Sequence, residues 1–188
     1  MLKYIEEAEK YVEITGFRNL GISDPEGFMK AARRELPESA CVQFFDAKLV
    51  ATWQHLYFAV LNALLAFKNE RNVSKSVAME TMLYASAQRQ IQKAIDFIGV
   101  KCASVDVAVV VIGESSESVD VLLSAVSKHI GEEPDDGVLE VSREKAEVIR
   151  EAFGITDVEF EAVLEKDEVE DALVDLVIER VALLPTQL

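Results

Sequence analysis

Residues 105–113, VDVAVVVIG, form a continuous apolar run closed by glycine. A half-buried strand alternates polar with apolar residues. This run does not, so it reads as a strand deep in a sheet or covered on both faces. The other elements have to be arranged around it. Upstream, YVEITGF (11–17) alternates as a strand does, and the stretch before it is placed to pair with it. ACVQFFDA (40–47) has the β-branched and aromatic content of a short strand.

Helices fill the spaces between. Ser23 and Asp24 ahead of Pro25 read as a capped start, and the helix through FMKAARREL stops before Pro37. Arg33 and Arg34 on it form either a solvated face or an extension of a basic surface. From Thr52 to Phe67 Trp53, Tyr57, Leu61 and Leu64 keep one stripe, while Leu56, Val60 and Leu65 widen it, so this helix belongs in the core. Asn62 in it reads as a buried, hydrogen-bonded amide. A helix over 74–86, capped by Asn72 or Ser74, leads into ASAQRQIQKAIDFIGV, with a stripe of Ile91, Ile95 and Ile98 and a stop at Gly99. Beyond the central run, Ser118 reads as the cap of a helix over 119–130. GEEPDDG (131–137) reads as an acidic turn, VLEV (138–141) as a short strand, and SREKAEVIREAFG as a helix ended by Gly154. A last helix takes Glu168 to Leu184, before Pro185. Few strands and three consecutive helices in the middle predict one α+β domain over residues 1–188, a two-layer sandwich of helices on a small mixed or antiparallel sheet.

Charge divides the chain. Residues 1–101 hold 13 basic and 12 acidic residues, a net of +1, whereas residues 102–188 hold 6 and 22, a net of −16. The segment 71–101 carries Arg71, Lys75, Arg89, Lys93 and Lys101 against Glu80 and Asp96, a net of +3 in a chain of net −15. An anionic partner would avoid the second half and meet the first. Charge alone does not separate such a surface from ordinary helix decoration. Arg89 and Lys93 are four apart and read as one helix face, with Gln88 and Gln92 beside them at the same spacing. Two cations and two amides together donate to phosphates and base edges. Tyr84 is a candidate stacking ring, with a core residue as the other reading.

Motifs for chemistry are missing. No G-x-S-x-G frames a serine, no G-x-x-x-x-G-K-[ST] is present, and EEPDD (132–136) lacks the alternate ligands and central glycine of a calcium loop. His129, at a helix end, suits a structural role. His55, at the start of the core helix, reads as a structural residue or as one facing a pocket. Cys41 and Cys102 are too sparse for a disulfide framework or a zinc site, and each reads as a small buried hydrophobe. The longest near-apolar run, 56–67, falls short of the roughly 20 residues needed to span a bilayer, and MLKYIEEAEK holds no signal-peptide core. These features predict a non-enzymatic protein of the cytoplasm, without membrane, metal or cofactor.

The run SKSVAMETMLYASAQRQIQKAI resembles the signature of the small kinase-binding subunit of the KEOPS (EKC) complex, the PRPK-binding protein family, in its archaeal form. Met79, Glu80, Leu83, Ala85, Ser86, Gln88, Arg89, Gln90, Ile91, Ala94 and Ile95 carry the match. Ala87 departs from it, standing where the family has glycine. The resemblance extends to VLEVSREKAEVIREAFGI (138–155) and VIERVALL (177–184). It implies an α+β fold and a non-catalytic protein whose partners are the complex's small atypical kinase/ATPase and tRNA. That complex places threonylcarbamoyl on the adenosine beside the anticodon of tRNAs reading codons that begin with A. It also implies recruitment of tRNA by its single-stranded 3′ CCA end. Arg71, Lys75, Tyr84, Gln88, Arg89, Gln92 and Lys93 are the candidate tRNA contacts. Val177, Val181 and Leu184 on the last helix are candidate kinase contacts, or else core residues of their own domain. An adaptor that binds only protein is the alternative.

Overall fold

The computed structural model describes residues 1–102, 104–164 and 169–186. Its strands are β1 (Leu2–Ile5), β2 (Lys10–Phe17), β3 (Cys41–Asp46) and β4 (Val107–Gly113). They form one sheet in the order β1-β2-β4-β3, with every neighbouring pair antiparallel. The helices are α1 (Pro25–Glu35), α2 (Trp53–Lys68), α3 (Val77–Ala85), α4 (Ile91–Ile98), α5 (Ser116–Ile130), α6 (Arg143–Phe153), α7 (Asp157–Val163) and α8 (Val169–Leu183). No helix among the described residues is long and apolar enough to cross a membrane.

The apolar run at 105–113 lies between β2 and β3, and its strand is buried from Val107 to Ile112. Val107, Val109 and Val111 pack with α1 and α5 through Ala32, Val119, Leu122 and Val126. Ala108, Val110 and Ile112 pack with α2 through Leu56, Val60 and Ala63. Each such buried valine stabilises by roughly 1.5–3 kcal/mol relative to exposure. Helices therefore cover both faces, one layer more than the two expected. A strand apolar on both sides calls for cover on both. A third cluster, with Ile149, Ile155, Phe160, Leu173 and Val177, joins α6, α7 and α8.

Start signals held for α1, where Asp24 accepts from the Gly27 N–H and Pro25 opens the helix, and for α6, capped by Ser142. Others moved. Ser76 caps α3, in place of Asn72 or Ser74. Ser115 caps α5 and Ser118 reciprocates as its third helical residue. On α4, Ile98 is buried while Ile91 and Ile95 are exposed, so its buried side runs through Ala94 and Ile98. VLEV is not a strand. Asp135 caps a 3₁₀ turn over Asp136–Leu139, and the Asp135 N–H donates to the Gly16 carbonyl. Val138 sits so close to Gly16 that an added Cβ would lie 2.5 Å from the valine Cβ. The apolar pair in VLEV thus plugs onto β2 from a turn. Glu168, where the last helix was expected to start, lies outside the described residues.

Candidate functional site

The basic segment folds as a loop, α3, a tight turn and α4. Glu80 anchors the loop. It is 2% exposed, and its carboxylate accepts from the Val73 N–H at 3.1 Å and the Ser74 N–H at 2.7 Å. The loop between Arg71 and Lys75 is thereby tied to α3. In sequence Glu80 stood as a charge against the basic surface and as part of the family signature, not as an anchor.

The turn after α3 is closed by two backbone bonds, Ala87 N–H to the Tyr84 carbonyl and Gln88 N–H to the Leu83 carbonyl. Ser86 Oγ also donates to the Met82 carbonyl at 2.8 Å. This bond pattern ends a helix with a left-handed residue, and Ala87 takes it with φ of 50°. Glycine avoids the Cβ clash of that conformation. Ala87→Gly is therefore expected to raise folding stability by about 1 kcal/mol, read as a higher denaturation midpoint at unchanged slope.

His55 supports the same turn from below. It is fully buried; Nδ1 accepts from the Ala51 N–H at 3.2 Å and Nε2–H donates to the Ala85 carbonyl at 2.8 Å. Burial holds its pKa down to about 4, so the ring is neutral. With both ring nitrogens bonded to backbone groups, it acts as a structural support. His129 lies 3.4 Å from the Glu35 carboxylate, between α5 and α1. Of the cysteines, Cys41 is half-buried, with its thiol pushed up to about 11 by burial, but Cys102 is exposed.

Above this support a cleft of about 390 Å³ is lined by Arg71, Val73, Glu80, Tyr84, Gln88 and Arg89, with Asn62 of α2, Asn69 just past its end, and Leu184 and Pro185. Four of the seven candidate RNA contacts meet there. Lys75, Gln92 and Lys93 are exposed but do not line the cleft. Arg89 and Lys93 do not share a helix face, because α4 begins at Ile91 and leaves Gln88 and Arg89 in the turn. Gln92 donates to Asp96 on its own helix at 2.9 Å. Among the described residues Arg71, Lys75, Arg89 and Lys93 make no ion pair. Tyr84 is 8% exposed, too little to offer an open ring face for stacking. Burial and then Glu80 raise its phenol pKa, while Arg89 lowers it. Val73, 57% exposed at the cleft, is the apolar surface that sequence reasoning missed. Asn62 is half-buried rather than buried; its Nδ2 donates to the Phe58 carbonyl at 2.8 Å.

The chain matches the family model described as "Kinase binding protein CGI-121" over residues 21–184. This chain belongs to that family. It is also 37% identical over 134 residues to "Regulatory protein Cgi121" of Methanocaldococcus jannaschii, an alignment spanning 71% of this chain and 83% of that protein. The region matched by the family model takes in the Glu80 anchor, the left-handed turn and the cleft lining except Pro185. Family membership does not rescue the kinase contacts assigned on α8. Val177 and Val181 are fully buried and Leu184 is 5% exposed. Val177 packs with Leu173 and Ile149, and Val181 and Leu184 join the cluster on α2. The apolar stripe of α8 is used up inside its own domain.

Proposed function

We propose that this chain is a non-catalytic KEOPS subunit that binds the complex's small atypical kinase/ATPase. In this reading it also recruits tRNA by its 3′ CCA end for threonylcarbamoyl modification beside the anticodon. The family to which the chain belongs supports the kinase partner, and no residue is assigned to that contact. The RNA reading is carried by one observation: Arg71, Gln88 and Arg89 converge on a single cleft, without ion pairs to the two arginines among the described residues. The loop and turn that present them are held by Glu80 and by the bonds around Ala87. A free CCA end offers unstacked base edges and few phosphates, which suits two guanidiniums, an amide and an apolar side chain better than an extended basic surface. Lys75 and Lys93, exposed nearby in sequence, would contribute at longer range.

The test is a titration of tRNA, full-length and trimmed of CCA, against the chain and against the Arg71→Glu/Arg89→Glu double variant. Each reversal is expected to weaken binding by about 1–3 kcal/mol, with unchanged folding. Trimming CCA should cost as much as the double variant, and binding should weaken with salt. Equally poor binding of full-length and trimmed tRNA, even in low salt, leaves the protein-only adaptor as the function.

A further inference from the structure

The cleft that gathers Arg71 and Arg89 has a floor unlike its rim. Both arginines are exposed. The floor is made by Glu80 and Tyr84, 2% and 8% exposed, with the apolar side chains of Leu83 and Leu184. The Tyr84 hydroxyl makes no hydrogen bond among the described residues. The side-chain atoms shut away there without a partner are Gln54 Oε1 and Arg150 Nε, so the Tyr84 hydroxyl opens to the cleft. A polar group on a buried residue is costly unless something meets it. Burial, and then Glu80, hold the proton on this phenol, so it is a donor.

Glu80 supplies the opposite function. A carboxylate holds about four acceptor sites, and the Val73 and Ser74 N–H groups do not fill them. A buried negative charge repels phosphate, and phosphate has no proton to give it. Phosphates and base edges therefore belong to the rim, with the arginines and Gln88. The floor fits a neutral group that both donates and accepts. A vicinal diol is such a group, since one hydroxyl donates to the carboxylate while its neighbour accepts from the phenol. Carboxylates read ribose hydroxyls in this way in dinucleotide sites. Every internal ribose of an RNA has its 3′ oxygen esterified, and only the last nucleotide keeps both hydroxyls free.

Building on the reading of this cleft as a tRNA site, we infer that its floor binds the free 2′,3′-diol of the 3′-terminal ribose, with Glu80 accepting from one hydroxyl and Tyr84 donating to the other. Tyr84 then sets specificity through its hydroxyl and not through its ring. The 2′ hydroxyl separates RNA from DNA, and the free 3′ hydroxyl separates the end of the chain from its interior. An aminoacylated tRNA carries an ester on one of these two oxygens. It lacks the hydroxyl that the floor pairs with, which leaves a buried polar group unmet. The cleft thus selects uncharged tRNA.

The experiment titrates the full chain with tRNA bearing different 3′ termini: native adenosine, 2′-deoxyadenosine, 3′-deoxyadenosine, and adenosine carrying an amino acid through a 3′ amide, which does not hydrolyse. Each altered terminus is expected to bind about tenfold more weakly than the native one. Tyr84→Phe keeps the ring and removes only the hydroxyl. It should weaken binding of the native terminus about tenfold and erase the preference for one of the two hydroxyls. Equal affinity for native, deoxy and aminoacylated termini, with trimming of CCA still costing affinity, overturns the diol site and leaves the tRNA reading standing. Binding of none of these tRNAs overturns both. An undiminished preference for both hydroxyls in Tyr84→Phe overturns the role of Tyr84. The series on the native chain needs no substitution, so a variant that fails to fold does not shield the diol site from the test.

Discussion

Replacing His55 by alanine is expected to cost about 3–5 kcal/mol of folding stability. The side chain fills space between α2 and α3 and touches Phe153 with its ring centroid 5.7 Å away. Its removal leaves a cavity and strands two backbone groups, the Ala51 N–H and the Ala85 carbonyl. The same residue makes the protein acid-sensitive. Burial is the main cause of its low pKa; the bond to the Ala85 carbonyl opposes the shift, and Lys145 adds slightly to it. Unfolded chains take up a proton as pH falls through 6.5, whereas the folded ring resists until about 4. The stability contributed by His55 is complete above 6.5, declines as pH falls through that window and levels below about 4. The full loss is about 3 kcal/mol. Carboxylates titrate near the lower end, so the measurement is a difference. Denaturation of the native chain and of His55→Gln, which does not titrate, should diverge between pH 6.5 and 4. A gap that stays constant with pH would remove the argument.

Removing the Glu80 carboxylate should have the second-largest effect. Glu80→Ala leaves the Val73 and Ser74 N–H groups without their acceptor, and Ser74 is 3% exposed. The expected cost is about 2–4 kcal/mol, since bonds to a charged acceptor are the stronger ones. Glu80→Gln keeps an acceptor oxygen without its charge and should cost about 1–2 kcal/mol. Function should follow the loop rather than the charge. Freed from α3, Arg71 no longer converges with Arg89, so Glu80→Ala should weaken tRNA binding while the arginines remain. Tighter RNA binding by the alanine variant would mean that the carboxylate repels phosphate and does not organise the loop. Chemical denaturation and RNA titration on the same samples separate the two.

Local chemistry carried a good part of the fold. Asp24 with Pro25, Ser142 and Gly154 mark helix ends through bonds within a few residues, and the structure keeps them. α7 was legible and missed. Thr156 and Glu159 form a reciprocal capping box, with Thr156 N–H donating to the carboxylate at 2.8 Å, and the T-x-x-E spacing is written in the chain. VLEV misled because four residues with β-branched ends satisfy a strand pattern equally well as a buried turn. Only the closeness of Gly16 on β2 decides between them.

Sequence alone determined the central strand, the basic character of 71–101 and the family signature within it. Each depends on residue type and short spacing. The tertiary structure alone decided which cations meet. Arg71 and Arg89 are 18 positions apart and converge because a buried carboxylate and a left-handed turn bend the backbone between them. It also decided that the apolar stripe of α8 faces inward and that His55 is a strut. Burial and convergence are properties of elements distant in the chain, and no periodicity within one element encodes them.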